Sequence, residues 1–177
     1  MKKTKRVNQD PTVYWIVGIA AVAIIGAVIA IVATQKSGGE STLAGQEFPD
    51  QGREHINLTD PHPAYNSNPP TSGWHFAQAA PWGPKTEEIP DEILVHNLEH
   101  GGIWISYKPD VVSNDVRDKL TAFASTHQRV IVTPRPKNDS AIALTSWQHL
   151  LKLDQYDEAK IADFYTRNFN HAPEDVP

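Results

Sequence analysis

The most prominent hydrophobic feature near the start of the chain is one long apolar run. Val13–Ala33 carries no charge over 21 residues and is rich in Ile, Val and Ala. A helix of this length spans about 30 Å, the thickness of the hydrocarbon core of a bilayer. The run is also longer than the apolar region of a cleaved signal peptide, which has about 7–15 residues. It predicts an uncleaved transmembrane helix over residues 13–33.

The charges on either side of this run predict its orientation. Residues 1–12 contain four basic side chains: Lys2, Lys3, Lys5 and Arg6. Only Lys36 follows the run closely. Because positive charge favours the cytoplasmic side, we expect a cytoplasmic tail over residues 1–12 and an extracytoplasmic location for everything beyond the run. The expected localisation is the cell membrane, with a single pass.

A polar segment separates the run from the rest of the chain. Residues 34–47 are rich in Gly, Ser, Thr and Gln and show no apolar periodicity, which predicts a flexible linker. The remaining residues, 48–177, are enough to build one hydrophobic core. We therefore expect a single exported globular domain.

The first third of this domain has the composition of a loop layer. Phe48–Pro90 is dense in Pro, Gly, Asn and Ser, and only a short strand near His55–Leu58 is predicted. Disordered segments are poor in aromatic residues, so the presence of Trp74, Phe76 and Trp82 indicates a packed loop.

From residue 103 onward the periodicity becomes regular. Alternation and helical spacing predict, in chain order, a strand at 103–107, a helix around 112–123, strands at 129–133 and 141–147, and a helix around 161–169. The order loop-β-α-β-β-α predicts an α+β domain with a small mixed sheet. The helix after the first strand permits a parallel crossover, and the short link at 134–140 predicts a hairpin between the second and third strands.

Composition excludes several kinds of partner and site. The chain has no cysteine, which excludes disulfides, thiolate metal sites and cysteine nucleophiles. Residues 48–177 contain 11 Lys+Arg and 18 Asp+Glu, a formal charge of −7. This balance argues against nucleic acid as a partner.

Several blocks of sequence occur in a distinctive order. They are Phe48–His55, Tyr65–His75, Val95–Gly102, Thr133–Pro136 and Ala172–Glu174. Together they resemble the family known as domain of unknown function 3105. The chain departs from the family pattern at Trp74, where the family usually has proline. The resemblance implies a membrane-anchored exported domain and supplies no activity.

Clustered histidines are the strongest chemical signal. His55, His62, His75, His96 and His100 lie within 46 residues. Imidazole suits Zn²⁺ and Cu²⁺, and three histidines with a carboxylate or water can complete a four-coordinate site. We predict one divalent metal, Zn²⁺ or Cu²⁺. The expected principal ligands are His75, His96 and His100, followed by His55 and Glu99. His62 lies between two prolines and is expected to be exposed, so it is left out.

The segment from His96 to His100 also fits the H-x-x-E-H pattern of inverted zinc peptidases, in which both histidines bind zinc and the glutamate is the general base. Glu99 is then a candidate base, and a metal-dependent hydrolase is one possible function. The apolar residues 93–95 and the glycines at 101–102 favour a strand or a very short helix here, which fits such an enzyme poorly.

A metal-free function is the main alternative. The histidines would then hold loops together through hydrogen bonds to backbone carbonyls, and Glu99 would pair with Arg53. The protein would be an interaction module of the cell envelope with a protein partner, because tryptophan is enriched at binding hot spots. Exposed rings at Trp74, Phe76 and Trp82 would favour this function. The other histidines are expected to be surface or capping residues: His127, His149 and His171.

Overall fold

The computed structural model describes residues 43–174. The predicted cytoplasmic tail and the predicted transmembrane helix at 13–33 lie outside the described residues. Among residues 43–174, no helix is long and apolar enough to cross a membrane. The end of the predicted linker is part of the fold, because Gln46–Glu47 forms an edge strand and Ala44 is buried.

Eight strands and three helices make up the described domain, which is α+β as predicted. The strands are β1 (Gln46–Glu47), β2 (His55–Ile56), β3 (His75–Phe76), β4 (Gly83–Pro84), β5 (Ile103–Tyr107), β6 (Val130–Pro134), β7 (Ile142–Ser146) and β8 (His149–Leu153). The helices are α1 (Asp91–Glu99), α2 (Asn114–Thr126) and α3 (Glu158–Asn168). A mixed sheet has the order β1-β8-β7-β5-β6-β4, and β2 pairs with β3 in a separate parallel ribbon.

The predicted parallel crossover is confirmed, whereas the predicted hairpin is wrong. Strands β5 and β6 are parallel and are joined through α2. Strand β7 pairs antiparallel with β5, not with β6. The link between β6 and β7 passes the end of β5, where Arg135 N–H donates to the Tyr107 carbonyl and Lys108 N–H donates to the Ala141 carbonyl. The hairpin instead joins β7 to β8, a strand that the sequence analysis missed.

Helices cover both faces of the sheet. Alternate residues of β5 point to opposite faces, as in any strand. Ile103 and Ile105 pack in one core with residues of α2 and α3, while Trp104 packs in a second core with residues of α1. The members of the second core are Ala80, Leu94, Val95, Leu98, Trp104, Ile131 and Trp147.

Helix α1 is the element that carries the histidine motif. It is nine residues long, so the segment forms a short helix and not a strand. Its apolar residues Leu94, Val95 and Leu98 face the sheet and are fully buried. This burial fixes the helix against the sheet, while His96 and Glu99 point toward the β2–β3 ribbon, which α1 contacts at β3.

Candidate metal centre

Two short strands and one helix bring four possible metal ligands together. In the β2–β3 ribbon, His55 lies directly opposite His75. Helix α1 adds His96 and Glu99, which are three residues apart and therefore share a face. One donor atom from each of the four residues lies within 4.8 Å of the donor atoms of the others. These four residues form the primary cluster.

Glu99 is the only acidic member of the primary cluster. Its side chain is 2% exposed, and its Oε2 lies 3.0 Å from His75 Nε2 and 3.5 Å from His55 Nε2. Its Oε1 faces the Arg53 guanidinium, with Nε at 3.9 Å. A buried carboxylate is costly unless charge or hydrogen bonds compensate it. Positive charge at the cluster would therefore stabilise the buried carboxylate of Glu99.

The hydrogen bond made by the far nitrogen of His75 fixes its tautomer. Nδ1 lies 2.7 Å from the Gly73 carbonyl, which can only accept, so Nδ1 carries a hydrogen. A neutral His75 then turns the lone pair of Nε2 toward the Glu99 oxygen at 3.0 Å. Two lone pairs at that distance repel each other. A proton on either atom, or a metal ion bound by both atoms, removes the repulsion.

His96 is oriented in the same way. Its Nδ1 donates to the Phe76 carbonyl at 3.0 Å, which leaves Nε2 as the nitrogen available for a metal. A backbone carbonyl on the far nitrogen is the usual support of a metal-binding histidine. Burial, followed by the neighbouring His100 and His75 rings, lowers the pKa of His96 below its ordinary value of 6.5. The neutral imidazole, which is the form that binds metals, is thereby favoured.

The dimensions of the primary cluster suit a small cation after a modest contraction. The rings of His55, His75 and His96 form a triangle with centroid separations of 5.0, 5.1 and 5.2 Å. Donor atoms on a tetrahedral zinc ion lie about 3.4 Å apart, given bonds of about 2.1 Å. The two contacts to Glu99 Oε2, at 3.0 and 3.5 Å, lie on either side of this length. His55 is 46% exposed and is the member most free to move inward.

The comparisons with known proteins give one positive result. The model of the family described as "Protein of unknown function (DUF3105)" matches residues 58–176. The chain belongs to this family. Neither the curated proteins nor the solved structures contain a significant match. The DUF3105 match includes His75, His96 and Glu99, and it begins after His55, so the Phe48–His55 block of the expected resemblance lies before it.

The structure does not place His100 in the primary cluster. Helix α1 ends at Glu99, and Gly101 follows His100 with a φ of 74°. The His100 ring lies beside that of His96, with centroids 4.5 Å apart, and its Nε2 lies 3.2 Å from Glu174 Oε2. His100 belongs to a second group with Glu99 and Glu174. The two histidines of the H-x-x-E-H pattern are thus in different groups, unlike those of an inverted zinc peptidase.

Three residues that touch the primary cluster were not predicted as part of a metal site. Arg53 faces Glu99, while Gly73 and Phe76 supply the carbonyls that orient His75 and His96. Backbone carbonyls leave no signal in a sequence. Arg53 is two residues before His55, and the sequence predicts it only as a partner of Glu99 in a metal-free structure. Glu174 was noted in the Ala172–Glu174 block, and nothing in the sequence connected it with His100.

The remaining histidines differ from expectation at two positions. His62 is partly buried, not exposed, and its Nε2 lies 3.3 Å from Glu92. His149 is buried at the start of β8, so its prediction as a surface or capping residue is wrong. His127 is the C-cap of α2 and stacks on Phe123, and His171 is exposed.

Only one of the three loop aromatics is exposed. Trp74 and Phe76 are partly buried, and Trp82 is exposed. The Trp82 ring also packs over Gly102, so closely that a Cβ there would lie 2.4 Å from the ring. These aromatics do not form the continuous exposed patch that would favour the interaction-module alternative.

Proposed function

We propose that the protein is a membrane-anchored, extracytoplasmic domain that binds a divalent transition metal, Zn²⁺ or Cu²⁺. The ligands are His75, His96, Glu99 and, at the exposed edge, His55. The observation that carries the proposal is the orientation of His75. Its Nδ1 donates to the Gly73 carbonyl, and its Nε2 faces the buried carboxylate of Glu99. That arrangement orients a neutral imidazole and a carboxylate toward a shared cation.

The donor set supports this choice of metal. Three neutral imidazoles and one carboxylate are borderline ligands of the kind that Zn²⁺ and Cu²⁺ accept, whereas Mg²⁺ and Ca²⁺ prefer oxygen alone. A divalent ion supplies the positive charge that buried Glu99 calls for. Both buried histidines are held by backbone carbonyls, which lowers the entropic cost of assembling the site.

The geometry supports Glu99 as a ligand better than it supports Glu99 as a general base. Its Oε2 faces two histidine nitrogens and would be occupied by the metal. A general base must instead reach a metal-bound water. A metal-dependent hydrolase that uses Glu99 as base therefore has little support. The exposed His55 is the ligand that a water or a substrate would displace most easily.

Metal analysis tests the proposal directly. Full-length protein is purified in a mild detergent without a nickel column, exposed to Zn²⁺ or Cu²⁺, desalted and analysed for metal. We expect at least one equivalent, with the primary-cluster metal lost in His75→Ala, His96→Ala and Glu99→Gln. His171→Ala, which removes an exposed histidine outside the cluster, should bind as much metal as the parent does. Less than about 0.1 equivalent in the parent overturns the proposal, since a built site binds near 1:1.

The second candidate is a metal-free interaction module that contacts an envelope protein. The observation in its favour is that a proton on His75 Nε2 satisfies Glu99 equally well, leaving a structural ion pair. Thermal melting distinguishes the two candidates, because a metal bound only by the native state raises the melting temperature. A parent melting temperature that falls on adding EDTA, with no fall in His96→Ala, contradicts the module. An unchanged parent melting temperature supports it.

The location is a separate proposal, and it rests on the apolar run at 13–33 and the lysine asymmetry around it. Protease treatment of intact cells should degrade the domain. Domain that survives on intact cells but is degraded after lysis would refute the extracytoplasmic location.

A further inference from the structure

We propose that the domain has a second metal site, formed by His100, Glu174 and Glu99, which makes the centre dinuclear with Glu99 as the bridging carboxylate. This inference rests on the proposed function, because Glu99 is also a ligand of the primary cluster. The second site would take the same class of ion, a divalent transition metal.

The structure brings Glu174, near the C-terminus, to His100 and Glu99, which are neighbours in the sequence. His100 Nε2 and Glu174 Oε2 are 3.2 Å apart, and one donor atom from each of the three residues lies within 4.8 Å of the others. The segment that carries Glu174 is held in place by two backbone hydrogen bonds. Asn170 N–H donates to the Gly101 carbonyl at 2.9 Å, and Glu174 N–H donates to the Glu99 carbonyl at 3.4 Å.

Glu99 has the capacity to serve two ions. A carboxylate offers two oxygens with about four lone-pair sites. Oε2 faces His75 and His55, while Oε1 faces only the more distant Arg53 guanidinium among its ion-pair contacts. In two-metal sites the ions lie about 3.5–4 Å apart, a separation that one bridging carboxylate can span. The adjacent rings of His96 and His100 would each bind one of the two ions.

The two sites should differ in affinity. The primary cluster has three buried ligands, whereas His100 and Glu174 are 25% and 43% exposed. The second ion would have three protein ligands, with water at its remaining positions. It must also bind beside a dication that is already in place, and the half-exposed Arg53 must turn away from Glu99. The second ion should therefore bind more weakly and exchange more readily than the first.

A plain ion pair is the competing explanation of the contact between His100 and Glu174. A protonated histidine and an exposed glutamate would hold the C-terminal segment without any metal. In that case, replacing either residue would leave the metal content unchanged.

Stoichiometry separates these explanations. Full-length protein in detergent is stripped with EDTA and titrated with Zn²⁺, and bound metal is measured after equilibrium dialysis. We expect two equivalents in two phases, and one equivalent with the tighter phase retained in both Glu174→Gln and His100→Ala. The matched control is Glu92→Gln, because Glu92 also pairs with a histidine, His62, at 3.3 Å. It should retain two equivalents.

The outcomes also distinguish this inference from the proposed function. One equivalent in the parent, lost in His96→Ala and unaffected by Glu174→Gln, overturns the second site and leaves the first in place. No bound metal in the parent overturns both. Two equivalents that persist in Glu174→Gln and His100→Ala place the second ion elsewhere and overturn the inference.

Electron paramagnetic resonance of the Cu²⁺-loaded protein adds a measure of proximity. Two Cu²⁺ ions that share a carboxylate couple magnetically, so the parent loaded with two equivalents should show a weakened, broadened signal. Glu174→Gln loaded to saturation should show the full signal of one isolated Cu²⁺ ion. A parent signal equal to that of two uncoupled ions would refute the dinuclear centre.

Discussion

Replacing Arg135 with methionine should destabilise the domain by about 3 kcal/mol, because it leaves a buried carboxylate without its main partner. Arg135 is 3% exposed, and its Nε and Nη2 donate to the two oxygens of Asp91 at 3.0 and 2.9 Å. Its Nη1 donates to Asn138 at 2.8 Å. Asp91 is the first residue of α1, the helix that carries His96 and Glu99.

The expected magnitude follows from what remains around Asp91. Removing one partner of a buried ion pair costs about 3–5 kcal/mol. Lys137 Nζ stays 3.1 Å from Asp91 Oδ2, so the carboxylate keeps one cation and the cost should fall at the low end. Lys137 is itself exposed, and Lys137→Met should therefore cost about 0–1 kcal/mol. This variant is the matched control, because it removes the other cation from the same carboxylate.

Guanidinium unfolding of EDTA-treated protein measures both variants without a contribution from bound metal. A domain of this size changes its melting temperature by about 4 °C per kcal/mol, so Arg135→Met should melt about 12 °C below the parent. The double variant Asp91→Asn/Arg135→Met should lose less than the sum of the single losses, because no buried charge is left unpaired. A loss of under about 1 kcal/mol in Arg135→Met, equal to that in Lys137→Met, would refute the reasoning.

Three further predictions concern the surroundings of the centre. Gly102→Ala should cost about 1–3 kcal/mol in denaturant unfolding, because its methyl group would lie 2.4 Å from the Trp82 ring and 2.8 Å from the Asn97 carbonyl oxygen; a negligible cost would show that both neighbours move freely. Asn97→Leu should cost at least about 2 kcal/mol by the same assay, because the Asn97 amide pairs with both the N–H and the carbonyl of Ala80, and no loss would mean that water replaces it. Metal-free protein should lose stability as the pH falls below 6.5, because the lowered pKa of His96 lets the unfolded chain take up the proton first; an identical pH dependence in His96→Gln would contradict this.

Local pattern was sufficient to predict most elements after residue 103. Alternation of Ile103, Trp104 and Ile105 indicated a strand because a strand exposes its two faces in turn. The spacing of Val116, Leu120 and Phe123 indicated α2, because residues three or four apart lie on one face of a helix. These signals depend on neighbours within one or two turns, so they survive without knowledge of the fold. Strand β8 was not predicted because the turn before it carries no recognisable signal. Gln148 adopts a φ of 63° in this turn, where glycine or asparagine is expected.

Strand order depended on contacts that the sequence does not display. The link after β6 looked like a hairpin loop by length. In the structure, the Arg135 and Asn138 side chains in this link join a buried network with Asp91 and Ser106. To make these hydrogen bonds, the link after β6 runs past the end of β5. Strand β7 then pairs with β5. The partners lie 32–44 residues away, beyond the reach of any periodicity.

The ligands of the site also fall into those that the sequence predicts together and those that only the fold brings together. The proximity of His96, Glu99 and His100 could be predicted without the fold, since they lie within five consecutive residues. Only the tertiary structure placed His55 opposite His75, through the register of a two-residue ribbon. It also placed His100 with Glu174, because the C-terminal segment returns to bond the carbonyls of Glu99 and Gly101. Short-range order comes from the chain's own geometry, whereas the choice between one group of ligands and two depends on where distant segments pack.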